Sequence, residues 1–181
     1  MGKRERTHAL LQECALDLFE RQGYEQTTVA QIAAAAGVTE MTFFRHFPVK
    51  HQALFDDPYD PMMAAAVAAQ PRELSALART VQGVGQIAAR LPEVEHDLMR
   101  RRIRLIARTP ALRGAMWRST AETERLIADQ LVADGADPLQ AGVVAAAVLA
   151  GLTSALLSWA DQERATLAET ITAALAALEG S

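Results

Sequence analysis

Cysteine is nearly absent: Cys14 stands alone in 181 residues. No internal disulfide can form, and the chain suits a reducing compartment. Aromatic residues make up only 5%, so the core cannot be built on rings. Alanine is the commonest residue, which points to helices packed closely on small side chains. A surplus of positive charge is also missing. The net charge is −4, and up to Lys50 the cations Lys3, Arg4, Arg6, Arg21, Arg45 and Lys50 balance Glu5, Glu13, Asp17, Glu20, Glu25 and Glu40. This balance does not suggest bulk attraction to nucleic acid, so DNA affinity must come from local placement and from two copies acting together. There is no glycine-rich phosphate loop and no GxSxG, and His8, His46, His51 and His96 are not spaced as metal ligands. Neither cofactor nor metal is expected, and a helical enzyme is the minor alternative. No apolar run follows Lys3-Arg4, so no signal peptide is expected and the reading is cytoplasmic.

What is present begins with TTVAQIAAAAGVTEMTFFRHF, Thr27 to Phe47. Thr28 followed by Gln31 is a capping box that starts a helix. Val29, Ile32 and Ala33 share its inner face, and Gly37 ends it, where positive φ is wanted. Val38 pins the turn, and Thr39 caps a second helix carrying Glu40 to His46. Two short helices about a glycine turn form a helix-turn-helix, whose second helix enters the major groove.

Thr28, Ile32-Ala33, Ala36-Gly37-Val38-Thr39, Thr42, Phe44, His46-Phe47 and Lys50 together resemble the TetR family of bacterial repressors. The match covers about the first third of the chain. Met41 stands where the family usually has glycine. Phe44 stands where it has tyrosine, so a hydroxyl that would reach a phosphate is missing. FFRHFP with the following DDPYDP is similar to an actinobacterial branch of the family. The resemblance implies an all-α chain with an N-terminal three-helix domain containing the helix-turn-helix, and a C-terminal helical bundle that dimerises and senses a ligand. The domains are expected at 1–57 and 58–181. It further implies a ligand-responsive regulator, a repressor, that binds a palindromic double-stranded operator as a homodimer. The alternative is a helix-turn-helix protein whose bundle only dimerises.

Along the rest of the chain, helix 1 is expected from about Glu5 to Gln22, with Leu10, Leu11, Cys14, Leu18 and Phe19 inward. Cys14 reads as a buried packing residue. Lys3, Arg4 and Arg6 read as a frayed basic arm, either a solubilising tail or an arm that lies on the DNA backbone. Pro48 should open a fourth helix with Lys50 in its first turn, and Asp56 to Pro61 should break it. Further helices are expected over Met62–Ala69, Arg72–Arg90 (loosened by Gly83 and Gly85), Pro92–Arg108, Ala111–Ala133, Leu139–Ala160 and Arg164–Leu178. Leu139 to Ala160 carries no charge and is long enough for a bilayer. Its alanine and glycine content and its lack of a basic flank point instead to a helix buried between its own core and a partner copy.

The resemblance places the expected DNA contacts by position. Arg45 can pair with guanine, Glu40 can accept from cytosine, and Met41 or Phe43 can touch a thymine methyl. Thr28, Thr39, His46 and Lys50 are assigned to phosphates, with Thr42, Phe44, Arg4 and Arg6 completing the surface. For the effector, the residues of interest lie between Arg100 and Arg118, where Arg100, Arg101, Arg102, Arg104, Arg108, Arg113 and Arg118 meet no acid. On a helical wheel Arg100, Arg101, Arg104 and Arg108 face solvent. Arg102 falls within the apolar arc, where Glu95 or an anionic ligand could pair with it. An amphipathic anionic ligand, acyl-CoA-like as the family branch suggests, would lie against Arg102, Met99, Ile106, Met116 and Trp117, with Thr120 and Thr123 supplying hydroxyls.

Overall fold

The computed structural model describes residues 2–56, 59–90, 93–162 and 165–180. All regular structure among them is helical: α1 Lys3–Gln22, α2 Val29–Ala35, α3 Glu40–His46, α4 Gln52–Phe55, α5 Tyr59–Ala68, α6 Ala76–Ala88, α7 Glu93–Arg108, α8 Pro110–Ala133, α9 Pro138–Ala160 and α10 Leu167–Glu179. The helix starts follow side-chain caps. Thr28 Oγ1 accepts the Gln31 N–H at 3.2 Å, while Gln31 Oε1 accepts the Thr28 N–H at 2.8 Å. Thr39, Ser75, Asp137 and Thr166 cap α3, α6, α9 and α10 likewise. Gly37 has φ +66°, the left-handed conformation that ends α2 and turns the chain into α3.

Internal contacts divide the chain into two units. The first holds residues 1–57 together with Leu105–Ala115; the second holds 58–104 and 116–181. The end of α7 and the start of α8 therefore belong with the N-terminal helices. The first unit's core is compact and partly aromatic: Leu11, Leu16, Phe19, Ile32, Phe43, Phe47 and Leu54 are buried, as are Ile106 and Leu112. The second unit packs α5, α6, α9 and α10 on one another around Val67, Val84, Ile127, Leu131, Val148, Leu152, Trp159 and Ile171.

Several expectations are corrected. α1 begins at Lys3, where the Gly2 N–H donates to Glu5, so Lys3, Arg4 and Arg6 ride a helix rather than a frayed arm. Leu10 is exposed, and Leu11, Ala15 and Phe19 form the inner face. Cys14 is half-buried, not buried; burial, then Glu13 and Asp17, raise its thiol pKa, which suppresses thiolate chemistry. Residues 48–51 form turns and α4 starts at Gln52. The break after Phe55 is present, but the chain re-enters helix at Tyr59, so Pro61 sits in a first turn, where its missing N–H is tolerated. α6 starts at Ala76, after the Ser75 cap, rather than at Arg72. Gly83 tightens α6 instead of loosening it: a Cβ there would lie 2.7 Å from Val67 N, so glycine permits α5 and α6 to touch backbone to backbone. Arg164, the expected start of α10, lies outside the described residues.

α9 is the one described helix long and apolar enough to cross a membrane, and a third of its most apolar window is buried in the chain. Leu139 and Val143 on its remaining surface are 77% and 59% exposed.

Candidate nucleic-acid interface

The helix-turn-helix is fixed to α1 through the turn at residues 23–28. The Thr27 hydroxyl is buried and donates to Gly23 O at 2.8 Å. Lys50 Nζ donates to Tyr24 O at 2.7 Å and to Thr27 O at 2.8 Å, and lies 4.1 Å from the centre of the Tyr24 ring. Two of the three ammonium hydrogens are thus spent on backbone carbonyls, and burial lowers the Lys50 pKa. Lys50, expected at a phosphate, is thus engaged inward: its cation ties the loop before α2 to the chain after α3.

α3 is anchored by Phe43, which has no exposed surface and packs on Phe47 with ring centres 5.4 Å apart. The expected contact of Phe43 with a thymine methyl is therefore withdrawn, because the helical period points this ring into the core. The outward surface of α3 has two edges. On one, Thr39 Oγ1 and Thr42 Oγ1 lie 3.1 Å apart and Arg45 Nη2 donates to Thr42 Oγ1 at 3.2 Å. On the other, Glu40 and Phe44 are exposed, and Met41 stands at the crest, 71% exposed.

The Thr39 edge faces the start of α1. Lys3, Arg4, Thr7, Thr42, Arg45 and His46 line an open groove of about 600 Å³. Three cations and two hydroxyls in one groove make a surface suited to phosphate oxygens. His46 contributes no fixed charge. Desolvation, then His8, Arg4 and Arg45, push its pKa below the ordinary histidine range, so near neutral pH it acts as a hydrogen-bond partner. His8 bridges this cluster to the chain after α4, with its ring 5.5 Å from His46 and Nε2 3.5 Å from Asp56 Oδ2.

Of the residues expected at DNA, the geometry brings together Arg4, Thr42, Arg45 and His46, joins to them Lys3 of the basic arm, and adds Thr7, which the sequence did not point to. Glu40, Met41 and Phe44 flank them on the same helix. Thr28 and Thr39 are exposed, though each hydroxyl accepts a backbone N–H as a cap. Arg6 is exposed on α1.

The effector residues divide differently. Ile106 is buried and groups with the first unit. Arg102, Met99 and Met116 are half-buried in the second unit. Thr123 is buried, and the Thr120 hydroxyl donates to Met116 O at 3.0 Å. Trp117 is 60% exposed. The side chain of Glu95, the acid expected beside Arg102, lies outside the described residues. Arg100 and Arg104, expected on a solvated face, are instead folded onto the end of α9. Arg100 donates to the carbonyls of Trp159, Gln162 and Ala165, and its guanidinium lies 4.1 Å over the Trp159 ring. Arg104 Nε donates to Ala160 O at 2.6 Å. Cations here satisfy orphan carbonyls at a helix C-terminus.

One ion-pair network was missed. Arg79 is buried on α6 and donates to Asp134 at 2.6 Å and to Val67 O at 3.2 Å. Asp134 also meets Arg72 at 2.9 Å and Gln130 at 3.0 Å. The hydrogen bond from Arg79, then that from Gln130, holds the Asp134 carboxyl below the usual range. The signal was legible: Ala76, Arg79, Thr80, Gly83, Val84 and Ile87 lie at helical spacing along one buried face.

Comparison with known proteins adds the family dimension. Residues 12–57 match the family model described as bacterial regulatory proteins, tetR family, and residues 74–181 match the MftR C-terminal domain. The chain is 36% identical over 143 residues to the HTH-type transcriptional regulator TcmR of Streptomyces glaucescens, covering 75% of this chain and 63% of TcmR. It is 43% identical over 55 residues to the nucleoid occlusion factor SlmA of Escherichia coli, 30% of this chain and 27% of SlmA. The chain thus spans under two thirds of these curated relatives. Among solved structures, a TetR-family regulator from Syntrophomonas wolfei shares the fold at a TM-score of 0.64 and 16% identity, over 98% of this chain and 95% of that one.

Proposed function

The chain belongs to the TetR family of bacterial transcriptional regulators, and we propose that it is a cytoplasmic repressor that binds a palindromic double-stranded operator as a homodimer and releases it when a small molecule occupies the second unit. The observation that carries the DNA reading is the groove of Lys3, Arg4, Thr7, Thr42, Arg45 and His46 beside the exposed face of α3. Its cations are local, in a chain of net charge −4. Binding therefore draws on counterion release at this edge alone. The acidic remainder keeps the chain off DNA elsewhere.

The uncharged face of α9 supports the dimer. Leu139 and Val143 are exposed large apolar side chains, and Ala146 and Ala150 let a partner helix approach closely. Gly151, which the sequence groups with Ala146 and Ala150 as a small residue for close approach, lies against Leu178 of its own chain. An apolar strip of this length is stable in water only when covered. A twofold mate would cover it and set two α3 helices roughly 34–36 Å apart, the spacing of successive major grooves. For the effector, the half-buried Arg102, one helical turn from Met99 on α7, favours an amphipathic anion. The second reading, a bundle that only dimerises, is separated by a thermal-shift screen with fatty acids and acyl thioesters, since a bound ligand raises the melting temperature.

The test is selection of random duplex DNA on the full chain. An enriched inverted repeat with half-sites roughly 10–10.5 base pairs apart is expected. Ala150→Arg should yield a monomer by sedimentation with operator affinity reduced at least about tenfold. Enrichment of no sequence would remove the DNA reading, and an unchanged Ala150→Arg dimer would remove the interface.

A further inference from the structure

Resting on the DNA-binding reading, we infer that α3 reads its site through thymine methyl groups, with Met41 and Phe44 as specificity-determining residues, while Arg45 grips the backbone. Met41 and Phe44 are three apart on the helix and so are neighbours on its surface. They are 71% and 48% exposed, on a helix whose inner side already has Phe43 and Phe47 to fill the core. Phe44 is not a loose ring. Its edge packs on Phe43 with centres 5.7 Å apart at 89°, so its direction is set by a buried neighbour. An exposed apolar pair on the outward surface of a groove-entering helix calls for an apolar partner. In the major groove the base edges offer one such group, the C5 methyl of thymine.

Arg45, the expected guanine reader, is drawn to the other edge. Its guanidinium donates to Thr42 Oγ1 at 3.2 Å and shares a groove with Lys3 and Arg4. That setting suits phosphate oxygens rather than a base edge. Phe44 has no hydroxyl to offer a phosphate. Glu40, exposed on the Phe44 edge, would be repelled by one. A carboxylate only accepts, so it fits the amino group of a cytosine or adenine beside the thymine. The two edges divide the work: the basic edge fixes register, and the apolar and acidic edge reads sequence.

The experiment takes the duplex recovered by selection and replaces its thymines with uracil one at a time, which deletes only the methyl group. Wild-type affinity should fall about fourfold at one or two positions in each half-site, the worth of one buried methyl-sized group. Met41→Ala should bind the thymine duplex more weakly and show no further loss with uracil at its position, a double-mutant cycle that closes on that contact. Met41 is exposed, so this truncation leaves the core intact, and melting checks that. Arg45→Ala should lose affinity equally on both duplexes and lower the salt slope by about one. Equal wild-type binding to thymine and uracil at every position would overturn the inference while leaving DNA binding intact. So would a Met41→Ala chain that keeps the full uracil penalty, or one that binds unchanged but sediments differently, which would assign the crest to a protein contact. Failure to enrich any duplex would overturn both readings.

Discussion

The two units use the same residue type in opposite ways. In the first, Arg4 and Arg45 reach into an open groove with Lys3. In the second, Arg79, Arg100 and Arg104 are turned onto carbonyls and a carboxylate of their own chain. The rings are divided too. All five phenylalanines lie before Asp56, whereas the second unit packs aliphatic side chains around Trp159. A small unit gains most from large rings, because each buries much apolar area per residue. A larger bundle can use small residues to bring helices together, as at Gly83 against Val67. Charge left exposed is available to a ligand; charge folded inward becomes part of the frame.

The largest expected effect tests whether the two cores are energetically separate. Phe47→Ala removes a ring with no exposed surface and should destabilise the first unit by about 3–5 kcal/mol. Both tryptophans, Trp117 and Trp159, lie in the second unit. Circular dichroism should therefore show an early partial loss of helix while the tryptophan fluorescence transition stays in place. A single concerted shift of both signals would break the comparison.

Arg79→Met tests the inward-folded charges. Removing one member of a buried pair leaves Asp134 less well compensated and should destabilise the second unit by about 3 kcal/mol, read by tryptophan fluorescence. The acid limb follows from the Asp134 shift. Its folded pKa is depressed, so its stabilisation is present above the unfolded carboxylate pKa and is lost as pH falls through the folded value. Melting temperature measured against pH should fall less steeply on acidification in Asp134→Asn, which starts lower. Parallel curves would remove the network from the account of stability.

Lys50 lies between the two uses, a cation beside the DNA-facing helices but bonded inward. Lys50→Met should lower the first unit's stability by about 2 kcal/mol, the scale of charge-assisted hydrogen bonds to carbonyls. It should weaken DNA binding without changing the salt slope. A slope reduced by about one would return Lys50 to the phosphates. The smallest effect is Thr39→Ala, which deletes the α3 cap and should cost about 1 kcal/mol. The sharpening observation is whether it also loosens Arg45, through Thr42, and weakens DNA binding beyond what the lost stability explains.

Much of the first unit was legible because its signals are local. A cap three residues before its partner, a glycine at a positive-φ turn and a short amphipathic period fix α2 and α3 before any long-range contact is known. The errors there are of facing. Phe43 and Leu10 were assigned by pattern to the wrong side, since one step along a helix turns a side chain by about 100°. Lys50 was assigned by resemblance, while its partners, the carbonyls of Tyr24 and Thr27, lie more than twenty positions away. In the second unit the same wheel that singled out Arg102 would have singled out Arg79, whose acid stands across the bundle on the loop after α8.

By itself, then, the sequence determined an all-helical chain, the helix-turn-helix, the family and the uncharged face of α9, because each rests on spacing within one or two helical turns. Tertiary structure alone decided which cations meet solvent. Arg45 and Arg104 carry the same guanidinium on helical backbone. One meets a groove shared with Lys3 and Arg4, and the other meets the unsatisfied carbonyls at the end of α9. The free energy of a charge depends on what surrounds it, and those surroundings come from distant parts of the chain.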